Sequence, residues 1–219
     1  GFGSDMQGKK ALFIEKWAKE NDYGFLRFDY SGHGLSSNNL NDTCFTDWYN
    51  DAEFLIKKLT TGKQILIGSS MGGWVMLMLC KLLPQKVSAM IGLAPAPDFP
   101  QNLIWKNMNS SQRRQLILNK SINFVDQNGS NNFFSYNLIK DSFKNLTLSD
   151  DIFFEGPINI YHGMKDQDVP YSMSIEILKK IKGSQNVSLL LDKEAGHRLS
   201  ENNQLRTIID IIKRTLRDI

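Results

Sequence analysis

The sequence predicts an α/β protein built on a mostly parallel sheet with helices on both faces. Three observations carry that prediction. Short apolar runs ended by glycine, proline or polar turns alternate with stretches of helical spacing, the pattern of strand–helix–strand crossovers. Several of these runs are continuously apolar, as in parallel strands buried on both faces. With 219 residues, 41% hydrophobic and 22% charged, the chain has the size and balance of one domain, so residues 1–219 are read as a single unit.

Taken in order, Phe13 and Trp17 stand one helical turn apart. Phe25-Leu-Arg-Phe-Asp29 is the first strand-like run. Trp48, Ala52, Leu55 and Leu59 form a helical stripe, with Thr46 placed to cap its start. Gln64-Ile-Leu-Ile-Gly68 and Ser88-Ala-Met-Ile-Gly-Leu93 read as strands, as do Ile158-Asn-Ile-Tyr-His162 and Val187-Ser-Leu-Leu-Leu-Asp192. Met173, Ile177 and Ile181 step by one turn, and Leu205, Ile208, Ile209, Ile212 and Leu216 stripe the last helix.

The alternation breaks between about Asp98 and Gly156. That stretch has Asn-rich turns (Gln127-Asn-Gly-Ser130, Asn131, Asn132) and the aromatics Trp105, Phe124, Phe133, Phe134, Tyr136, Phe143, Phe153 and Phe154. It is too long for an ordinary connection and is read as a helical lid inserted over the sheet, about 98–156.

Composition excludes several classes of function. The formal charge is +3, with 26 basic and 23 acidic residues and no cluster of Lys and Arg, so no nucleic-acid partner is expected. The longest apolar run, roughly Met71 to Leu79, falls far short of the ~20 residues of a membrane helix. No leader-like segment is visible. Cys44 and Cys80 stand far apart with no metal-binding spacing, so neither a disulfide framework nor a zinc site is expected. These features point to a cytoplasmic protein, or to an organellar matrix if the source is eukaryotic. Oligomeric state is left open.

Gly68-Ser69-Ser70-Met71-Gly72 fits G-x-S-x-G directly between a strand-like run and a helical stretch. Such a turn strains Ser70 and pushes its hydroxyl out at the sheet edge, and glycines at 68 and 72 are expected to relieve collisions there. The helix that follows aims its N–H groups at the same place. A serine nucleophile needs a base, and the base needs a carboxylate. Of His33, His162 and His197, only His197 follows the last strand at the ligand-binding edge of the sheet. His33 and His162 read as turn-shaping residues bonded to backbone. Asp166, just past the fourth of these strands, is the candidate acid, and Asp168 is its rival.

Three strings carry a resemblance: Phe28-Asp-Tyr-Ser-Gly-His-Gly-Leu-Ser36, Gly68-Ser-Ser-Met-Gly-Gly-Trp74, and His162-Gly-Met-Lys-Asp166 with Val169-Pro170. They resemble the α/β-hydrolase family, and more narrowly its branch of mitochondrial acyl-protein thioesterases and bacterial relatives. The chain order Ser, Asp, His is that family's order. The resemblance implies a cofactor-free serine hydrolase acting on small-molecule or acylated esters and thioesters, with Ser70, Asp166 and His197 as its triad. It also implies an oxyanion hole made by the backbone N–H groups of Met71 and Phe2, for which the Phe2 side chain is expected to be irrelevant. A non-catalytic binding protein, a peptidase or a lactonase on the same fold are the alternatives.

One departure stands out. The family carries strands before the glycine loop, and here the chain opens on that loop at Gly1. N-terminal strands are therefore expected to be missing, leaving a gap between the Phe25–Asp29 and Gln64–Gly68 runs.

Overall fold

The computed structural model describes residues 1–125 and 131–219, with side chains for all of these except 124, 125, 131 and 132. The expected turn at Gln127–Ser130 lies outside the described residues. In chain order the elements are α1 (Lys9–Glu20), α2 (Phe45–Leu59), β1 (Gln64–Ser69), α3 (Met71–Leu82), β2 (Val87–Leu93), α4 (Ser110–Asn119), β3 (Ser121–Val125), β4 (Asn131–Ser135), α5 (Tyr136–Ser142), β5 (Ile152–Phe154), β6 (Ile158–Gly163), α6 (Ser172–Lys180), β7 (Ile181–Gly183), β8 (Val187–Asp192) and α7 (Asn202–Arg217). No helix among the described residues is long and apolar enough to cross a membrane.

The central sheet runs β1-β2-β6-β8, and every pair in it is parallel. The side chains sort by strand period. Ile91, Leu93 and Tyr161 face Ile14 of α1 and the Leu205, Ile208 and Ile212 stripe of α7. Met90, Ile158 and Ile160 face the opposite way, onto Met76 and Leu77 of α3 and Ile177 of α6. The family expectation of an α/β hydrolase sheet, parallel and covered on both faces, is met.

Four sequence expectations are corrected. The Phe25–Asp29 run forms no strand. Strand structure needs a neighbour to take its N–H and C=O groups, and no strand among the described residues pairs with the outer edge of β1. The lining of one cavity includes Phe25 and Leu26 together with Ile65 and Leu66 of β1.

Thr46 does not cap α2. Cys44 is the N-cap, and its N–H donates to the Asp47 carboxylate at 2.8 Å. Thr46 lies inside the helix and binds Asp141 of α5 through both its N–H (2.9 Å) and its hydroxyl (2.7 Å).

The stretch from 98 to 156 is not all helical. It holds α4 and α5, but also the antiparallel pair β3–β4 and the short strand β5, which pairs with β7. Its two ends are tied together by Asp98, which is 2% exposed. The Asp98 carboxylate accepts the N–H groups of Thr147 (2.8 Å) and Leu148 (3.0 Å). Thr147 in turn accepts the Trp74 indole N–H at 2.8 Å, which binds this base to α3.

The fourth correction concerns the glycines after Ser70. Gly68 does need to be bare, since a Cβ there would sit 2.7 Å from the Gly72 carbonyl carbon. Gly72 does not: a Cβ would meet only the Tyr30 hydroxyl, at 4.0 Å. The crowded position is Gly73, where a Cβ would come within 2.8 Å of Pro95 Cα.

Candidate functional site

Ser70 is the joint between β1 and α3, and its backbone is forced into the left-handed half of the map at φ 54°. Hydrogen bonds hold it there. Its N–H donates to Leu93 O (3.0 Å), and its carbonyl accepts from Gly73 N (2.8 Å) and Ala96 N (3.0 Å). The Ser70 hydroxyl thereby stands at the carboxyl end of the sheet, at the start of α3.

His197 arrives from the turn after β8. That turn is shaped by Asp192, whose Oδ1 accepts the N–H groups of Glu194 (3.0 Å) and Ala195 (3.2 Å). The Tyr161 hydroxyl donates to its Oδ2 at 2.7 Å and is the main reason the Asp192 carboxyl sits below its ordinary range. The turn after β6 is stitched to the same place: Met164 N donates to Asp192 O (2.7 Å) and Lys165 N to Ala195 O (2.9 Å). Parallel neighbours β6 and β8 thus deliver Asp166 and His197 to one spot.

The three residues singled out from sequence meet. His197 Nε2 lies 3.0 Å from Ser70 Oγ, and His197 Nδ1 lies 2.7 Å from Asp166 Oδ2. The Asp166 side chain is fully buried, and the His197 side chain is 20% exposed. Burial by itself would raise the Asp166 pKa. Hydrogen bonds from His162 and His197, the charge on His197 and the Val169 N–H outweigh it, holding the carboxyl well below the usual carboxylate range.

The rival acid is placed differently. Asp168 donates its backbone N–H to Asp166 Oδ1 at 2.9 Å, and its side chain is exposed and makes no hydrogen bond to His197. His33 is buried, with Nδ1 3.2 Å from Ser31 O, and its ring packs edge-on to Trp48 and Phe2, as a turn-shaping residue would. His162 departs from that reading. Its Nε2 lies 3.0 Å from Val169 O, a backbone group, but also 3.1 Å from Asp166 Oδ2. Sequence reasoning missed this contact. The signal available was the spacing of His162 and Asp166 across a sharp strand-end turn.

The loop carrying Phe2 is held by a second residue the sequence reading passed over. Asp29 Oδ1 accepts Met6 N (2.6 Å), and Oδ2 accepts Leu35 N (3.0 Å). The N–H groups of Phe2 and Met71 make no hydrogen bond among the described residues. For Met71, first residue of α3, that is the ordinary state of a helix start. The Phe2 side chain anchors this loop. Its ring stacks on Phe134 at 5.4 Å and packs against Phe99 at 5.7 Å and Trp48 at 5.9 Å.

A cavity of about 1410 Å³ has Ser70 and His197 in its wall and extends to the open edge of β1. Its lining includes the apolar side chains of Phe99, Leu103, Ile104 and Phe134. Of the aromatics counted in the insertion whose side chains are described, only Phe134 lines it. Phe143 and Phe153 face solvent, Phe154 is buried in the core behind α3, and Trp105 packs on Phe143 and under Arg113.

Asp166, Asp168 and His197 also bring ligand atoms within 4.8 Å of one another. Both Asp166 oxygens and both His197 nitrogens already have hydrogen-bond partners, so this set fits proton transfer better than metal ligation.

Fold and site together define a hydrolase of the α/β type. The chain belongs to the α/β-hydrolase fold family, whose pattern it matches over residues 3–119. It is similar to human "Palmitoyl-protein thioesterase ABHD10, mitochondrial", 34% identical over 214 residues that cover 95% of this chain and 68% of the relative. Among solved structures it is similar to mouse alpha/beta hydrolase domain-containing protein 10, with a TM-score of 0.91, 30% identity, and 99% and 86% of the two chains covered. A protein of Agrobacterium vitis S4, solved under the description of a hydrolase, superposes with a TM-score of 0.93 and 33% identity over 98% of this chain and 85% of its own.

Proposed function

We propose that this chain is a serine hydrolase that cleaves carboxylic esters or acyl thioesters through an acyl-enzyme. The observation that carries the reading is the continuous hydrogen-bonded line from Ser70 Oγ through His197 to Asp166, at 3.0 and 2.7 Å. His197 takes the Ser70 proton as Oγ attacks the substrate carbonyl carbon. The N–H groups of Phe2 and Met71 bind the oxyanion that develops. Asp166 holds His197 in the tautomer with its proton on Nδ1 and stabilises the imidazolium. The intermediate collapses, His197 gives its proton to the departing alcohol or thiol, and Ser70 keeps the acyl group. His197 then deprotonates water, which attacks the acyl-enzyme and releases the acid.

The apolar wall formed by Phe99, Leu103, Ile104 and Phe134 supports an acyl chain as the bound part of the substrate. It gives the stretch 98–156 the role of a lid over that chain. Similarity to proteins called palmitoyl-protein thioesterases points the same way. No cofactor enters any step. Both thiols, Cys44 and Cys80, are free and buried, which suits a reducing compartment.

The test is covalent labelling by a fluorophosphonate probe. Wild-type protein should label once per chain, and Ser70→Ala should not label. Equal labelling of both would reject Ser70 as nucleophile, and no labelling of either would favour a non-catalytic binding protein.

A further inference from the structure

We infer that His162 is a positioning residue for the acid of the reaction: its Nε2–H donates to Asp166 Oδ2 and aims that oxygen at His197. The inference rests on the triad reading above and goes beyond it by adding a fourth side chain. His162 is fully buried, and all its ring nitrogens are engaged. Nε2 faces two acceptors, Asp166 Oδ2 at 3.1 Å and Val169 O at 3.0 Å. A bare nitrogen between two oxygens would be repelled by both, so Nε2 carries the proton. Nδ1 meets the Ser174 hydroxyl of α6 at 2.6 Å. With the proton on Nε2, the Ser174 hydroxyl donates to the bare Nδ1 and steadies the ring, as a second partner does for other functional histidines.

The consequence lies in the count of donors at Asp166. Oδ1 accepts Asp168 N (2.9 Å) and Val169 N (2.8 Å). Oδ2 accepts His197 Nδ1 (2.7 Å) and His162 Nε2 (3.1 Å). Four donors occupy the approximately four lone-pair sites of the carboxylate, which leaves it no second rotamer with equal bonding. The two backbone donors hold Oδ1 in the turn. His162 is the donor that fixes Oδ2, the oxygen His197 uses. It sits on β6, a central strand, and Ser174 on α6, so the acid is braced by two rigid elements and not by its own loop alone.

The experiment compares His162→Leu, His162→Gln and Ser174→Ala with wild type on an activated ester, with rates expressed per active site titrated by a fluorophosphonate. His162→Leu should lose ~10–100-fold in kcat with KM within about twofold, the size of effect seen when outer partners of reacting groups are removed. His162→Gln, which can place an amide N–H near the Nε2 position, should recover most of that loss. Imidazole nitrogen NMR on histidine-labelled wild-type protein should find the His162 proton on Nε2. Ser174→Ala should keep the proton on Nε2, leave Nδ1 without its partner and show an intermediate kcat.

A wild-type kcat per titrated site in His162→Leu would overturn the inference, as would a loss in His162→Leu that Gln does not repair. A wild-type His162 with bare Nε2 overturns it even if the leucine variant fails to fold. The triad reading fails separately, through an active Ser70→Ala.

Discussion

Ser70 and His197 are 127 positions apart in the chain and 3.0 Å apart in the folded protein. Parallel strands close that distance, because Ser70 follows the carboxyl end of β1 and His197 the carboxyl end of β8 in the same sheet. The contact is a product of sheet topology, and its chemistry depends on the proton between the two atoms.

Removing the hydroxyl should abolish turnover without harming the fold. Ser70→Ala is expected to lose ~10⁴–10⁶-fold in kcat on p-nitrophenyl esters. Its thermal midpoint should match or exceed that of wild type, because alanine loses only one small polar atom at a strained position. Near wild-type turnover in this variant would sink the proposed mechanism.

Asp166 and Asp168 should separate cleanly. Asp166→Asn is expected to cost ~10³–10⁴-fold, because an amide lets His197 adopt the wrong tautomer. Asp168→Asn should stay within a few-fold, since that side chain is exposed and only its backbone N–H serves the site. Similar small losses at both positions would refute the assignment of the acid.

The depressed pKa of Asp166 has a stability consequence with a definite sign. The folded-state value lies below the unfolded value of about 3.9, so the native protein holds this group's proton less tightly than the unfolded chain does. Its contribution to stability is therefore fully present above about pH 5 and lost as pH falls through the folded-state value. Urea unfolding should show a constant stability difference between wild type and Asp166→Asn from neutral pH down to about 5, shrinking in stronger acid. A difference that stays undiminished below about pH 3 would contradict the assignment.

Adjacent glycines should respond in opposite ways. Gly72→Ala has room for its methyl and removes a flexible residue from a helix, so stability should hold or rise by up to ~1 kcal/mol. Gly73→Ala must displace Pro95 and should cost ~1–3 kcal/mol, with activity falling because Ala96 N, which bonds Ser70 O, moves with Pro95. Chemical denaturation of the two variants measures this, and equal effects would mean the turn relaxes freely.

Acyl chain length tests the apolar wall. Each methylene buried against Phe99, Leu103, Ile104 and Phe134 gains about 0.8 kcal/mol. Extending the acyl group from two carbons to about six or eight should raise kcat/KM ~10-fold or more, before the space fills. The measurement is a series of p-nitrophenyl esters and matched thioesters below their micelle threshold. A steady fall from acetate onward would leave these side chains as packing only.

The sequence by itself determined the parts whose chemistry is local. A strand ending in Gly68-Ser-Ser70-Met-Gly72 can hardly do anything but turn sharply, since Gly68 sits where any Cβ would strike the next turn of chain. The run Ala89–Leu93 of β2, apolar throughout, announced a buried parallel strand, and the stripe on α7 announced an outer layer of the sheet. The order of Ser70, Asp166 and His197 then followed from where the strands end. Tertiary structure alone decided what depends on a distant partner. Phe25–Asp29 has strand-like side chains, but among the described residues no neighbouring strand takes its hydrogen bonds. Thr46 looks like a cap until Asp141, on an element 95 residues away, claims both its donors. The pair β3–β4 is half apolar, but its place in the fold depends on partners far along the chain, such as Phe2, whose ring stacks on Phe134. His162 reads as a turn residue because its backbone bond is local. Its bond to Asp166, four residues on, depends on how tightly the turn after β6 closes on its own strand, and alternation along the strand cannot encode that closure.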